Sequence, residues 1–128
     1  MSSTTHWIWL AVAGALGVLC RAGVSSAAGR LAGDAFPWGV TIVNVTGSLA
    51  FAVIVAATPV RFLPTGFEKI LLVGFLGGFT TFSSFSYDTV RLMQAGHTTA
   101  ALAFVAANNL GGLAAAWIGL TAFGTRTP

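Results

Sequence analysis

The sequence predicts an all-α membrane protein of four transmembrane helices, the third broken at its middle. Two observations carry this expectation. Charged residues fill only 7% of the 128 positions while 55% are hydrophobic, and the mean hydropathy is +0.85. Six basic and three acidic side chains are too few to cover the surface of a soluble domain of this length. Charge-poor stretches also recur along the chain: residues 7–31 hold only Arg21 and Arg30, and residues 38–58, 70–87 and 98–125 hold no charge. A spanning helix takes about 20 mostly apolar residues. Spans are therefore expected at about 7–31, 38–58, 69–92 and 98–124, joined by short loops into a single domain over 1–128.

The first span does not read as a cleavable signal, because Met1 to His6 carry no Lys or Arg and the apolar run is too long. Trp7 and Trp9 suit the membrane interface. Ala13, Gly17, Arg21 and Ser25 are four apart and share one face, with Gly14 beside them. Small residues at that spacing let another helix come close. An arginine at a helix centre costs about 2.5–3.5 kcal/mol on insertion scales. Arg21 either snorkels to the headgroups or places a fixed positive charge at a water-filled vestibule, where it attracts anions. Cys20 stands alone, so an intrachain disulfide is excluded, and it is expected as a small buried hydrophobe.

The second span opens at Trp38, another interfacial residue, and aligns Thr41, Asn44, Gly47 and Ser48 on one face. The Asn44 amide offers two donors and an acceptor. A membrane asparagine often serves as interhelical glue; beside a small polar strip it also suits a pore lining.

The third span holds the most unusual stretch, Gly74-Phe75-Leu76-Gly77-Gly78-Phe79-Thr80-Thr81-Phe82-Ser83-Ser84-Phe85-Ser86. Two adjacent glycines followed by two threonines favour a departure from the helix. Backbone that leaves the helix at membrane depth must find partners in protein, ions or water, as in transporters whose sites lie at broken helices. The alternative is a small-residue packing surface in an ordinary helix. Phe82 and Phe85 are three apart and share a face, with Phe75 and Phe79 preceding them. Most membrane phenylalanines pack against lipid or core. Yet a ring has a positive edge, which could meet a small dehydrated anion if Asn44, Ser83, Ser84 and Ser86 supplied hydrogen bonds. The fourth span repeats the polar stripe with Asn108, Gly112 and Ala116, and Asn109 points about a quarter-turn away.

Basic residues are nearly balanced across the membrane. Arg61, Lys69 and Arg126 fall on one side, Arg30 and Arg91 on the other, with Arg21 inside the first span. The positive-inside rule then gives no orientation. Either the loop boundaries differ by a few residues, or the chain inserts both ways, which would allow an antiparallel homodimer.

Several chemistries are disfavoured. An enzyme is not expected: Ser83, Ser84 and Ser86 have no nearby histidine, and the glycines at 74–78 lack the Lys and Ser/Thr of a phosphate-binding loop. Asp88 and Arg91, three apart, suit a pair at a helix end. A proton-coupled exporter of cationic drugs needs a carboxylate within the membrane, whereas Asp34, Glu68 and Asp88 lie at or near span ends. An assembly subunit without transport would use its small-residue stripes only as seams. No nucleic-acid partner is expected.

Three motifs resemble the bacterial fluoride channel family, Fluc/CrcB. Phe36-Pro37-Trp38-Gly39-Val40-Thr41-Ile42-Val43-Asn44-Val45-Thr46-Gly47-Ser48 is similar to its second-helix motif, and the stretch 74–86 resembles its third-helix signature nearly letter for letter. Gly14-Ala15-Leu16-Gly17 followed by Arg21 is similar to its first-helix pattern. The resemblance covers the whole chain. It implies an antiparallel dual-topology dimer in a bacterial inner membrane, with a second copy or a sibling subunit as partner. Each dimer would hold two fluoride pores. By matching position it implies a pore built from Asn44, Phe82, Phe85, Ser83, Ser84 and Asn108, and Arg21 at the vestibule. It further implies a structural sodium ion, held at a break spanning Gly77 to Thr80 by the carbonyls of Gly77 and Thr80. Carbonyls freed by a break are hard oxygen donors of the kind such a cation takes. The fourth span departs from the family: Asn108 replaces a serine or histidine, while Gly112 and Phe104 stand where hydroxyls are common.

Overall fold

The structure is a computed structural model that describes residues 3–57 and 66–124. Thr58, Arg61 and Arg126, which entered the span and charge readings, lie outside the described residues. The described residues are helical, with four stretches long and apolar enough to cross a membrane: Ser3–Ala32, Trp38–Ala57, Phe67–Gln94 and Thr98–Phe123. Helix α1 (Ser3–Ala32) has 30 residues, about 45 Å at 1.5 Å per residue. Gly33 ends it in the left-handed region, φ 74°, with its N–H on the Gly29 carbonyl at 2.9 Å. A residue with a Cβ would be strained there. Helix α2 (Trp38–Ala57) follows after five residues.

The third span is a composite. A short helix α3 (Phe67–Lys69) leads into a π-helical segment (Ile70–Leu76), followed by one helical turn, α4 (Gly77–Phe79). The chain then leaves helical geometry for two residues. Thr80 (φ −81°, ψ 159°) and Thr81 (φ −152°, ψ 117°) are extended. Helix α5 (Phe82–Gln94) resumes the span, and α6 (Thr98–Phe123) completes the fold. The expected break is present, but it lies at Thr80–Thr81 rather than over Gly77 to Thr80. Gly77 and Gly78 remain helical.

The glycines serve contact instead. A Cβ on Gly17 would run into the Phe75 carbonyl, and one on Gly78 would sit 2.5 Å from the Gly14 carbonyl oxygen. The small-residue stripe of α1 is thus the seat of the π segment and α4, with backbone against backbone. Gly77 is different: a Cβ there meets nothing nearer than the Leu72 oxygen at 4.0 Å.

The two halves of the third span pack on different neighbours. The π segment and α4 lie on α1, whereas α5 lies on α6. Helix α2 runs along α6 and also touches α1. Its seam with α6 is equally close, since a Cβ on Gly119 would be 2.7 Å from that of Ala52. Beside the break, Leu92, Ala101 and Phe104 form a buried cluster with Phe36, Val40 and Phe85 packed against it. Phe104 and Val43 are fully buried. Outward-facing Trp7, Trp9 and Trp38 are all exposed, as interfacial residues would be. Cys20, expected to be buried, is exposed on α1.

Candidate functional site: a polar groove at the helix break

Backbone groups released at the break find side-chain partners in two neighbouring helices. In a continuous helix the Thr81 N–H would bond to the Gly77 carbonyl. Here it donates to Asn44 Oδ1 at 2.8 Å. The Thr81 carbonyl accepts from Asn44 Nδ2 at 3.1 Å. A single asparagine side chain therefore takes both main-chain groups of the extended residue. The second Nδ2 hydrogen goes to Asn108 Oδ1 at 3.0 Å. Asn108 in turn donates to Thr41 Oγ1 at 3.2 Å and to the Phe104 carbonyl at 3.0 Å. Thr41 closes the chain on the Pro37 carbonyl at 3.3 Å. This accounts for the polar stripes of the second and fourth spans, which meet each other across the α2–α6 seam. Ser48, on the same stripe, donates to the Asn44 carbonyl at 2.7 Å.

The Thr80 carbonyl turns the other way and accepts from Arg21 Nη1 at 3.2 Å. Arg21 is not in the groove wall, and its guanidinium reaches the main chain at the break. The Thr80 hydroxyl bonds to the Leu76 carbonyl at 2.9 Å. Thr81 caps α5, its Oγ1 accepting from the Ser84 N–H at 3.2 Å, a standard way to satisfy a free helix N-terminus. The same hydroxyl donates to Ser84 Oγ at 3.1 Å and lies 3.3 Å from Ser83 Oγ.

A groove of about 560 Å³ opens over this network. Asn44, Asn108, Gly77, Thr80, Thr81, Phe82 and Phe85 line it together. Ser83 and Ser84 are not in its wall; their hydroxyls gather around Thr81 at the start of α5. Ser86 bonds back to the Phe82 carbonyl at 3.0 Å. Phe82 is 78% exposed, while Phe85 is half-buried between Phe82 and Phe104, at centroid distances of 5.6 and 5.5 Å. Phe75 and Phe79 do not join this pair but stack on each other at 5.9 Å. Asn109 is exposed and bonds to its own helix at Val105. Phe104, the unexpected residue of the fourth span, is core. Gly112 leaves space beside Ser48, whose Oγ would lie 3.4 Å from an added Cβ. Asp88 and Arg91 pair at 3.3 Å as expected.

Sequence reasoning missed two participants. Thr81 lay inside the quoted stretch but outside the proposed pore, and Thr41 was seen only as part of a stripe. The signal for Thr81 is its residue type, a favoured N-cap, after the two glycines and ahead of the polar start of the next helical stretch.

Four spanning helices, the third broken, with amides, hydroxyls and aromatic rings lining the groove at the break and no carboxylate in its wall among the described residues, define a multi-pass membrane protein with a small polar site within its spans. Residues 8–120 match the model of the family described as CrcB-like protein, Camphor Resistance (CrcB), and the chain belongs to that family. It is 43% identical to the "Fluoride-specific ion channel FluC" of Chelativorans sp. (strain BNC1), over 90% of this chain and 93% of that protein. Proteins of the same name from Nitratidesulfovibrio vulgaris and Magnetococcus marinus are 40% and 39% identical, each over 88% of this chain and 92% of the relative. The chain is accordingly a multi-pass bacterial membrane protein.

Proposed function

We propose that this protein is a passive, fluoride-selective channel of the bacterial inner membrane, working as an antiparallel dual-topology dimer with two pores. The observation that carries the reading is the groove at the break, where the Asn44 amide and the rings of Phe82 and Phe85 face the same space. The printed names of relatives about 40% identical over most of the chain point the same way. Fluoride is small and strongly hydrated, so a path for it must replace water with donors. An amide N–H is a suitable donor, ring edges add positive potential, and the N-terminus of α5 beside Phe82 favours negative charge. The exposed Phe82 would be covered by the second copy. An inside-negative potential drives the anion outward, worth about 2.3 kcal/mol per 100 mV. HF that enters from acid surroundings and ionises inside would leave by this route without ATP or proton coupling.

The donor chemistry at the break also fits the proposed structural sodium ion in part. The Thr81 N–H, the usual helical partner of the Gly77 carbonyl, goes to Asn44 instead, so that hard oxygen does not receive it. The Thr80 carbonyl already accepts from Arg21, so it would share its second lone pair. Two such carbonyls from each of two chains would give about four oxygens. Bound there, sodium would neutralise carbonyl dipoles that face each other in a dry interior.

The deciding experiment is efflux from liposomes containing this protein alone. Fluoride should pass and chloride should not; equal rates would sink selectivity. Sodium, unlike caesium, should support flux and dimer stability, and thorough sodium removal without effect would remove the metal. Asn44→Asp should lower fluoride flux about 100-fold, since a carboxylate repels the anion and loses both donors, each worth about 1–3 kcal/mol when buried. The drug-exporter reading finds no support at the break, since Asp34 is exposed and Asp88 pairs with Arg91.

A further inference from the structure

The amide orientations in the network are dictated by main-chain groups that have only one role each. The Thr81 N–H can only donate and the Thr81 carbonyl can only accept. Asn44 must therefore present Oδ1 to the first and Nδ2 to the second, at 2.8 and 3.1 Å. Its remaining Nδ2 hydrogen then faces Asn108, which must answer with Oδ1. Asn108 consequently turns Nδ2 toward the Phe104 carbonyl, another obligate acceptor, and toward Thr41 Oγ1. The Thr41 proton is left for Pro37. One line of donors runs from the Thr81 N–H through Asn44 and Asn108 to Thr41 and Pro37, with Asn44 also donating back to the Thr81 carbonyl and Asn108 to the Phe104 carbonyl. Bonds in such a chain polarise one another.

The consequence concerns the half-buried Asn44. Both of its amide hydrogens are committed, one to Thr81 and one to Asn108. An anion in the groove can gain an Asn44 hydrogen only by taking it from one of them. The Thr81 bond is held by the helix break, so Asn108 is the partner that can yield. Asn108 itself is only 9% exposed, and its own hydrogens are spent on Phe104 and Thr41.

We propose that Asn108 acts as a built-in competitor of the anion: its Oδ1 occupies the Asn44 donor and thereby weakens fluoride binding in the groove, favouring release. This deepens the channel reading and rests on it. Asn108 is then a specificity-setting residue through Asn44, not a donor to the ion.

The two roles predict opposite signs. If Asn108 competes, Asn108→Leu, similar in shape but without an acceptor, frees the Asn44 hydrogen to water and to the anion. If Asn108 donates to the ion or merely steadies Asn44, the same change weakens binding. The test uses the full chain labelled with ¹⁵N, titrated with sodium fluoride while the Asn44 side-chain amide is followed by NMR, with liposome efflux measured in parallel. The expected result is fluoride affinity about tenfold higher in Asn108→Leu, one net hydrogen bond's worth, with half-maximal flux at correspondingly lower fluoride. Thr41→Val keeps the shape of that residue and removes only the polarising acceptor beyond Asn108. It should shift affinity the same way by about threefold, and it decides the matter if Asn108→Leu does not fold. Unchanged or weaker binding in the folded variants overturns the proposal. A wild-type protein that neither binds nor passes fluoride removes the channel reading and the competitor together. Binding without flux removes the channel reading alone, and the variant affinities still judge Asn108.

Discussion

The two halves of the third span share one apolar stretch yet are built on opposite principles. Before the break, the π segment and α4 lie backbone to backbone on α1, where Gly17 and Gly78 admit no side chain. After it, α5 packs on α6 through side chains, Phe85 on Phe104 and Leu92 in the cluster with Ala101 and Phe104, and Phe82 stands 78% exposed. The first half is an anchor whose residues are small because contact is total. The second half is a display, capped by Thr81 and carrying rings outward. The break is where the chain changes partners, and Asn44 bridges the change by bonding both main-chain groups of Thr81. Hydrogen bonds lost at membrane depth have to be replaced, and here the Asn44 side chain replaces those of Thr81 as the span switches neighbours.

This contrast can be broken at either half. The largest expected effect is in the anchor: Gly78→Val should cost about 3 kcal/mol or more, because the added branches meet the rigid Gly14 carbonyl and neither helix can yield. Thermal unfolding in detergent would measure it, and a stable, dimeric variant would mean that the seam is looser than described. In the display, Phe82→Ile and Phe85→Ile should each cut fluoride flux at least about tenfold by removing ring edges while keeping bulk. Their stabilities should diverge. Phe82, exposed within the single chain, should change the stability of the chain's own fold by less than about 0.5 kcal/mol, whereas Phe85, packed on Phe104, should lose about 1 kcal/mol from the aromatic contact. Full flux in both would show that the groove is not the path.

Thr81→Ala tests the junction. Loss of the cap on the Ser84 N–H should destabilise by about 1 kcal/mol, with the Asn44 bonds to the main chain intact, so flux should fall less than in Asn44→Asp. The smallest change belongs to Gly77→Ala. The site is helical and open, and stability should move by no more than about 0.5–1 kcal/mol, toward greater stability, as helix propensity alone requires. A loss as large as that of Gly78→Val would show that Gly77 has a close neighbour in the dimer.

The chain without its fold marks four apolar stretches, which the structure has as long helices, and names Asn44, Phe82, Phe85 and Asn108, which line one groove. Bilayer thickness and 3.6-residue periodicity are what make these features readable: both act locally, and both leave a pattern in composition. The position of the break was legible only approximately. Adjacent glycines look like a helix breaker in isolation, yet here both stay helical and Gly78 packs against α1, while the chain leaves the helix at Thr80 and Thr81, where Arg21 takes the Thr80 carbonyl and Asn44 both main-chain groups of Thr81. Ser83 and Ser84 belonged to the capping of α5, a matter of a few tenths of a nanometre that spacing does not resolve.

Apolar content, the absence of mid-span carboxylates and the stripes of small and amide residues followed from the chain alone, because they depend on which residue types occur and at what interval. The π-helical segment, the inward turn of Arg21 to Thr80 and the fixed order of amides from Thr81 to Pro37 did not. Each arises from groups 37 to 67 positions apart, or from a helix distorted to fit a neighbour. A hydrogen bond of that kind has no periodicity to betray it: it exists only once packing has brought one donor and one acceptor to the same place.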